Sequence, residues 1–160
     1  MTPFEMLPAA VASLAAVIDV RWRRIPNWLT LAAFAAGVLM QVLRLGASGV
    51  VVALAGAALG FCVLLPFYVI HAIGAGDVKL LAALGALLGP QALVSVAIYG
   101  ALVGGLISAL ILAKRGLLRR SLSDITTNPL RLQRSGAKAP YGVAIALGVY
   151  LSMLLPSVIG

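Results

Sequence analysis

Four carboxylate side chains stand among the 160 residues of this chain, Glu5, Asp19, Asp77 and Asp124, and two of them occupy places where a charge is hard to keep. Asp19 ends an apolar run and precedes Val20-Arg21-Trp22-Arg23-Arg24-Ile25-Pro26-Asn27, while Asp77 closes Gly74-Ala75-Gly76-Asp77 and opens another apolar run. A carboxylate at a lipid boundary must face a bundle interior, water or a partner, and such groups are functional candidates by default. Two carboxylates brought together in a low-dielectric cleft repel each other, so that the pair holds a single proton. That arrangement suits hydrolysis of a peptide bond. The ionised carboxylate takes a proton from a water, the protonated one polarises the scissile carbonyl, and the roles then reverse. The sequence does not say which aspartate is acid and which is base.

Read singly, Asp19 is equally a helix-end group next to Arg21, Arg23 and Arg24, and Asp77 an N-cap of the helix that follows. Their joint placement favours chemistry, because two whole apolar runs separate them and so return them to the same membrane face. Gly74 and Gly76 fit beside such a site, since glycine allows positive φ and close approach of an extended substrate backbone. Pro26 and Asn27 are expected to shape the turn into the second run, proline by fixing φ and asparagine by capping the helix. Lys79 either biases the charge of the pair, meets substrate, or snorkels from a helix start to headgroups. His71, the sole histidine, reads as interfacial or hydrogen-bonded rather than catalytic. Cys62 is the sole cysteine, which excludes an intrachain disulfide and a cysteine-built zinc site, and it reads as a small buried hydrophobe. Asp124 reads as a solvated loop residue.

The elements that must hold these groups follow from composition. Hydrophobic residues make up 62% of the chain and charged residues 10%, with a mean hydropathy of +1.12, far from the balance of a water-soluble domain. Apolar runs cover Phe4–Val20, Trp28–Leu43, Gly49–Ile73, Val78–Leu88, Gln91–Ala113 and Tyr141–Ile159. Lipid offers an exposed backbone no hydrogen bonds, so each is expected to be a helix. The expected fold is all-α, a polytopic bundle of about six transmembrane helices in one membrane-embedded domain, residues 1–160. The fourth run is short for a crossing and is expected to start earlier, tilt or re-enter. Gly56 and Gly60, Gly85 and Gly89, and Gly100 and Gly104 stand four apart and mark close helix contacts. Pro66 and the Gly89-Pro90 pair are expected to kink or end helices. The first run lacks a preceding Lys or Arg and reads as a span rather than a cleaved signal.

Twelve Lys and Arg give a net charge of +8. With six crossings, every basic residue except Arg44 falls on one side, as the positive-inside trend requires, which places both termini outside and the aspartates at the cytoplasmic side. Nucleic acid is disfavoured as a partner because aromatics are too few for base stacking. Arg119, Arg120, Arg131 and Arg134 read as contacts to anionic lipid or to an acidic substrate segment, with lipid the favoured partner. Trp22, Trp28 and Tyr141 suit an interfacial aromatic belt.

Three stretches together resemble the type IV prepilin peptidases, membrane aspartyl proteases with a Gly-x-Gly-Asp motif. These are Asp19 with Arg24-Ile25-Pro26-Asn27 and Leu29-Thr30, then Gly74-Ala75-Gly76-Asp77-Val78-Lys79-Leu80, then Ala137-Lys138-Ala139-Pro140-Tyr141-Gly142-Val143-Ala144. The resemblance implies that Asp19 and Asp77 are the catalytic pair of an aspartic-type endopeptidase. Its substrate would be a prepilin or pseudopilin, cut after a Gly-like residue ahead of its hydrophobic stretch, at the cytoplasmic face of the bacterial inner (plasma) membrane. It implies no metal and no organic cofactor. Larger members carry a further cytoplasmic region with cysteine pairs and methylate the new N-terminus. This chain has neither the length nor the cysteines and is similar to the short form of tight-adherence (Flp) pilus systems and to archaeal preflagellin peptidases, which implies peptidase activity without N-methyltransferase activity. The alternative is a small transporter or assembly subunit in which the two aspartates hold ions or protons, which predicts aspartates deeper in the membrane. A presenilin-like protease fits less well, since the chain has no Tyr-Asp dipeptide and no Pro-Ala-Leu triplet. The intact aspartate pair argues against a silent homologue.

Overall fold

A computed structural model describes residues 3–22, 24–71, 73–114 and 141–155. They form six helices, α1 Pro3–Trp22, α2 Asn27–Leu45, α3 Ser48–Val69, α4 Ala75–Leu88, α5 Pro90–Lys114 and α6 Tyr141–Leu154, with no strand among the described residues. The expected polar loop from Ser121 to Ala139, with Arg119, Arg120, Asp124, Arg131, Arg134 and Lys138, lies outside the described residues, as do Arg23 and the end of the sixth run.

The distribution of side-chain size identifies the solvent. Leu31, Leu39 and Leu43 on α2, Val51 and Leu54 on α3, and Leu102, Leu106 and Leu110 on α5 are each more than half exposed, while Ala12, Ala15, Ala33, Ala53, Ala83 and Ala86 are buried. Large apolar groups outside and small ones inside suit a bundle surrounded by hydrocarbon, where association depends on close backbone approach rather than on hiding leucine from water. By length and composition α2, α3 and the stretch Pro90–Leu110 of α5 can each cross a membrane. The chain is a helical membrane protein.

The fourth helix holds the centre. It has 14 residues, so it rises about 21 Å, less than a hydrocarbon core of roughly 30 Å. It begins at Ala75, before the expected Val78. Val78, Leu80, Leu81, Ala83, Leu84, Ala86 and Leu87 are all buried, which leaves it little face for lipid and removes the need to match the bilayer thickness. Two flanking helices reach it through glycine. A Cβ on Gly56 of α3 would run into the Gly85 carbonyl, and one on Gly37 of α2 would stand 2.7 Å from the backbone of Ala86 and Leu87. The other predicted glycine positions also lie at contacts, Gly60 against Leu81 and Gly100 and Gly104 against α6.

The end of α4 lies inside the protein, where its last carbonyls need partners. Gly89, at φ +79, donates its N–H to the Gly85 carbonyl at 2.9 Å, and the buried Gln41 donates from Nε2 to the Leu87 carbonyl at 3.1 Å. Pro90 then opens α5 directly, so Gly89-Pro90 separates two helices as expected. Side by side with α2, α4 runs from the level of Asn27, which meets Lys79, to that of Gln41, which meets Leu87. The next helix turns back, with Leu93 against Gly85 and Gly104 beside Tyr141. Thus α4 starts at the aspartate end, and α5 returns to it.

Two expectations are corrected. The third helix stops at Val69, not at Ile73, and a turn through Ile70 and His71 follows. Pro66 sits in the last turn of α3, where its carbonyl accepts the N–H of Ile70 at 3.1 Å. Cys62 is exposed on the outer face of α3 rather than buried, because this helix is apolar all round and its inner side is marked by Gly49, Ala53, Gly56, Gly60 and Leu64.

Candidate active site

Asp19 lies three residues before the end of α1 and is buried. Its Oδ2 accepts the N–H of Gly142, the second residue of α6, at 3.0 Å across 123 residues of sequence. The approach requires glycine at that position, since a Cβ on Gly142 would stand 2.9 Å from Oδ2 and 3.0 Å from the Cβ of Asp19. An amide in the first turn of a helix has no intrahelical acceptor and carries the positive end of the helix dipole, so it suits a carboxylate. Among the described residues Asp19 does not pair with arginine. Arg21 leans over the Trp22 ring instead, 5.6 Å from its centroid.

Asp77 is the third residue of α4 and is equally buried. Its N–H donates to the Gly74 carbonyl at 3.2 Å, and the Gly74 N–H donates back to Asp77 Oδ2 at 3.1 Å. The N-cap is therefore Gly74, not Asp77, and the carboxylate closes the first turn from inside the helix. Gly74 has φ −83, and the positive-φ glycines among the described residues are Gly46 and Gly89, so the glycines of this motif do not serve by adopting left-handed backbone. They serve by proximity. A Cβ on Gly74 would stand 3.3 Å from Asp77 Oδ2, and one on Gly76 would stand 3.1 Å from the Cβ of Ile25, which is buried between α1 and α2.

The stretch after Asp19 is thus packed on the stretch before Asp77. A second tie joins them. Lys79 Nζ donates to Asn27 Oδ1 at 2.9 Å, on the exposed side of the site. Asn27 does not cap α2. Pro26 is the N-cap residue, at φ −69 and ψ 141, and its carbonyl accepts the N–H groups of Leu29 and Thr30. With its side chain free of capping, Asn27 serves as acceptor for Lys79, while Thr30 Oγ1 donates to the Asn27 carbonyl at 3.0 Å.

Gly142 holds Asp19 at the head of α6. Tyr141 is half-buried and its ring packs where a Gly104 Cβ would be, 3.0 Å from Cε2. Trp22 and Trp28 are exposed, as a belt requires. They flank an open groove of about 520 Å³ lined also by Ile18, Arg24, Ile25, Pro26 and Asn27. His71 is exposed and stands at φ 57 in the turn between α3 and the glycine motif.

The sequence-based site thus gathers at one end of the bundle. Gly142 and Ile25 join it without having been named as site residues. Their signal was membership of the same short stretches, but only packing of α6 against α1 makes Gly142 a partner of Asp19.

Fold and site together define a helical membrane protein in which two buried carboxylates stand on separate helices at one end of the bundle and one of them meets the head of a third. The sequence model of the type IV leader peptidase family matches residues 6–109, well over half of the chain, and the protein belongs to that family of membrane peptidases. No curated protein and no solved structure matches it. The matched stretch carries Asp19, Asp77 and the residues that tie their motifs together, whereas Tyr141 and Gly142 lie beyond it.

Proposed function

We infer that this peptidase is of the aspartic type, with Asp19 and Asp77 as its catalytic pair, and that it removes the leader from type IV, Flp-like prepilins at the cytoplasmic face of the bacterial inner membrane. The observation that carries the reading is the packing of the stretch after Asp19 on the stretch that holds Asp77, with Gly76 against Ile25 and Lys79 bonded to Asn27, which brings two buried carboxylates to one end of the bundle. Position supports it as well. Asp19 stands near the end of α1 and Asp77 in the first turn of α4, and such helix-end positions suit a site at the rim of the membrane better than an ion carrier at mid-depth.

In this reading one proton is shared by the pair. The ionised carboxylate draws a proton from a water as that water attacks the scissile carbonyl, the protonated one hydrogen-bonds the carbonyl oxygen, and collapse of the tetrahedral species returns a proton to the leaving amine. The groove between Trp22 and Trp28 would seat the substrate along Ile18, Ile25 and Pro26. Gly74, Gly76, Pro26, Asn27 and Lys79 shape the site. With both termini outside, the aspartate rim faces the cytoplasm. The chain acts as a peptidase without N-methyltransferase activity.

Candidate prepilins are co-expressed with wild-type protein, Asp19→Ala or Asp77→Ala and followed by mobility shift and N-terminal sequencing of the product. Loss of cleavage in both variants at normal membrane abundance is the expected result. Wild-type cleavage by either variant would sink the two-aspartate mechanism.

A further inference from the structure

The groove at the aspartate end of the bundle is walled by one corner of the chain, the end of α1, the turn that follows and the start of α2. Its lining is apolar at Ile18, Ile25 and Pro26, aromatic at Trp22 and Trp28, and charged at Arg24. Val17 and Val20 on α1 and Leu31 on α2, all within three residues of lining positions, are more than half exposed and belong to the surface that faces hydrocarbon. Both tryptophans are exposed as well, and indole rings in such places settle where lipid chains give way to headgroups. Arg24 is exposed, and three of the four residues from Arg21 to Arg24 are arginine. An apolar cleft that opens at lipid level and carries a guanidinium at the end of its helices has the chemistry of a phospholipid seat. Chains lie on the apolar residues, indole N–H groups donate to esters, and guanidinium pairs with phosphate.

We propose that an anionic phospholipid occupies this groove when substrate is absent, with its phosphate on Arg24 and an acyl chain along Ile18 and Ile25, so that substrate enters by displacing it. An exposed guanidinium holds a small anion weakly in water, and burial of the acyl chain supplies the remaining affinity. The groove also adjoins the supports of the aspartate pair, since Ile25 packs on Gly76 and Asn27 accepts from Lys79. A lipid there therefore competes for the path that leads to them. The effect on cleavage rests on the peptidase reading, whereas the lipid site does not.

Trp22 and Trp28 are the two tryptophans of the chain, so its indole fluorescence reports on this groove. The full-length protein is placed in phosphatidylcholine nanodiscs that contain a small share of lipid with brominated chains, either phosphatidylglycerol or phosphatidylcholine, and bromine quenches the indoles on contact. Brominated phosphatidylglycerol should quench as if its occupancy were about fivefold higher, the scale of one basic residue beside anionic lipid. Arg24→Gln should abolish that preference and Arg21→Gln should keep it. In the cleavage assay a rising share of phosphatidylglycerol should raise KM and leave kcat unchanged for the wild type, and Arg24→Gln should remove the dependence. Equal quenching by the two lipids overturns the proposal. Equal loss of preference in Arg21→Gln and Arg24→Gln overturns it too, since the attractant would then be the basic surface as a whole. Reversal of the quench by glycerol phosphate would make the ligand a soluble phosphate and likewise overturn it. Quenching needs no turnover, so a wild-type protein that cleaves no prepilin overturns the peptidase reading while the quench still decides the lipid site.

Discussion

Lys79 Nζ donates to Asn27 Oδ1 at 2.9 Å, and this single contact joins the start of α4, two residues after Asp77, to the start of α2, eight residues after Asp19. A hydrogen bond from a charged donor on the exposed side of a site contributes about 1 kcal/mol, or roughly fivefold in kcat/KM if it holds the two motifs in register. Lys79→Met and Asn27→Leu should each lower kcat/KM by about that factor, and the double variant should lose no more than either single one. A double-mutant cycle measures this. Additive losses would mean that Lys79 and Asn27 act separately, for instance on substrate or on headgroups.

The backbone of α3 lies against that of α4 at Gly56 and Gly85, whereas Gly105 on α5 has nothing within 4 Å of where its Cβ would be. Gly56→Ala should therefore destabilise the folded protein by about 1–3 kcal/mol through overpacking, while Gly105→Ala should be neutral or slightly stabilising. Thermal unfolding in detergent reads both. Equal effects at the two positions would contradict the close contact of α3 and α4.

His71 stands at φ 57, where a residue with a β-branched side chain is strained by roughly 1–2 kcal/mol and glycine is at ease. His71→Gly should retain cleavage within about twofold of wild type, and His71→Val should lose stability. Loss of kcat in His71→Gly at normal stability would give the imidazole a direct part in the reaction.

Much of this was legible in the chain itself, for identifiable reasons. Apolar runs announce helices in lipid, since no other backbone satisfies its own hydrogen bonds there, and the glycines four apart announced where those helices touch. The two aspartates were legible because charge near an apolar run is rare. What could not be read was orientation within a helix that is apolar on every side. Cys62 was expected inside α3 and lies outside. Asn27 looked like a cap because asparagine commonly is one, yet Pro26 already presents the extended conformation that opens α2, which releases the asparagine side chain for Lys79. The role of Gly142 depends on a contact across 123 residues, and nothing local to Tyr141-Gly142 specifies which carboxylate α6 will meet.

The buried Gln41 gives the last prediction, because it lies at the other end of the bundle from the aspartates. Its Nε2 donates to the Leu87 carbonyl at 3.1 Å, one of the terminal carbonyls of α4 that has no partner of its own helix to accept from. Gln41→Leu fills the same space but leaves that carbonyl unsatisfied among apolar neighbours. In a soluble protein this would cost about 1–3 kcal/mol; in a bilayer protein the unfolded reference also finds partners, which brings the expectation to about 1 kcal/mol. Chemical denaturation in mixed micelles reads the loss. At the same time kcat should stay within about twofold of wild type, since α4 is held at its Asp77 end by Gly74, Ile25 and Asn27 independently of Gln41. A Gln41→Leu protein of unchanged stability would mean that water, not glutamine, satisfies the end of α4. A stable variant with collapsed kcat would mean that the short central helix transmits displacement from one end of the bundle to the other, and that Asp77 is positioned by the whole of α4 rather than by its first turn.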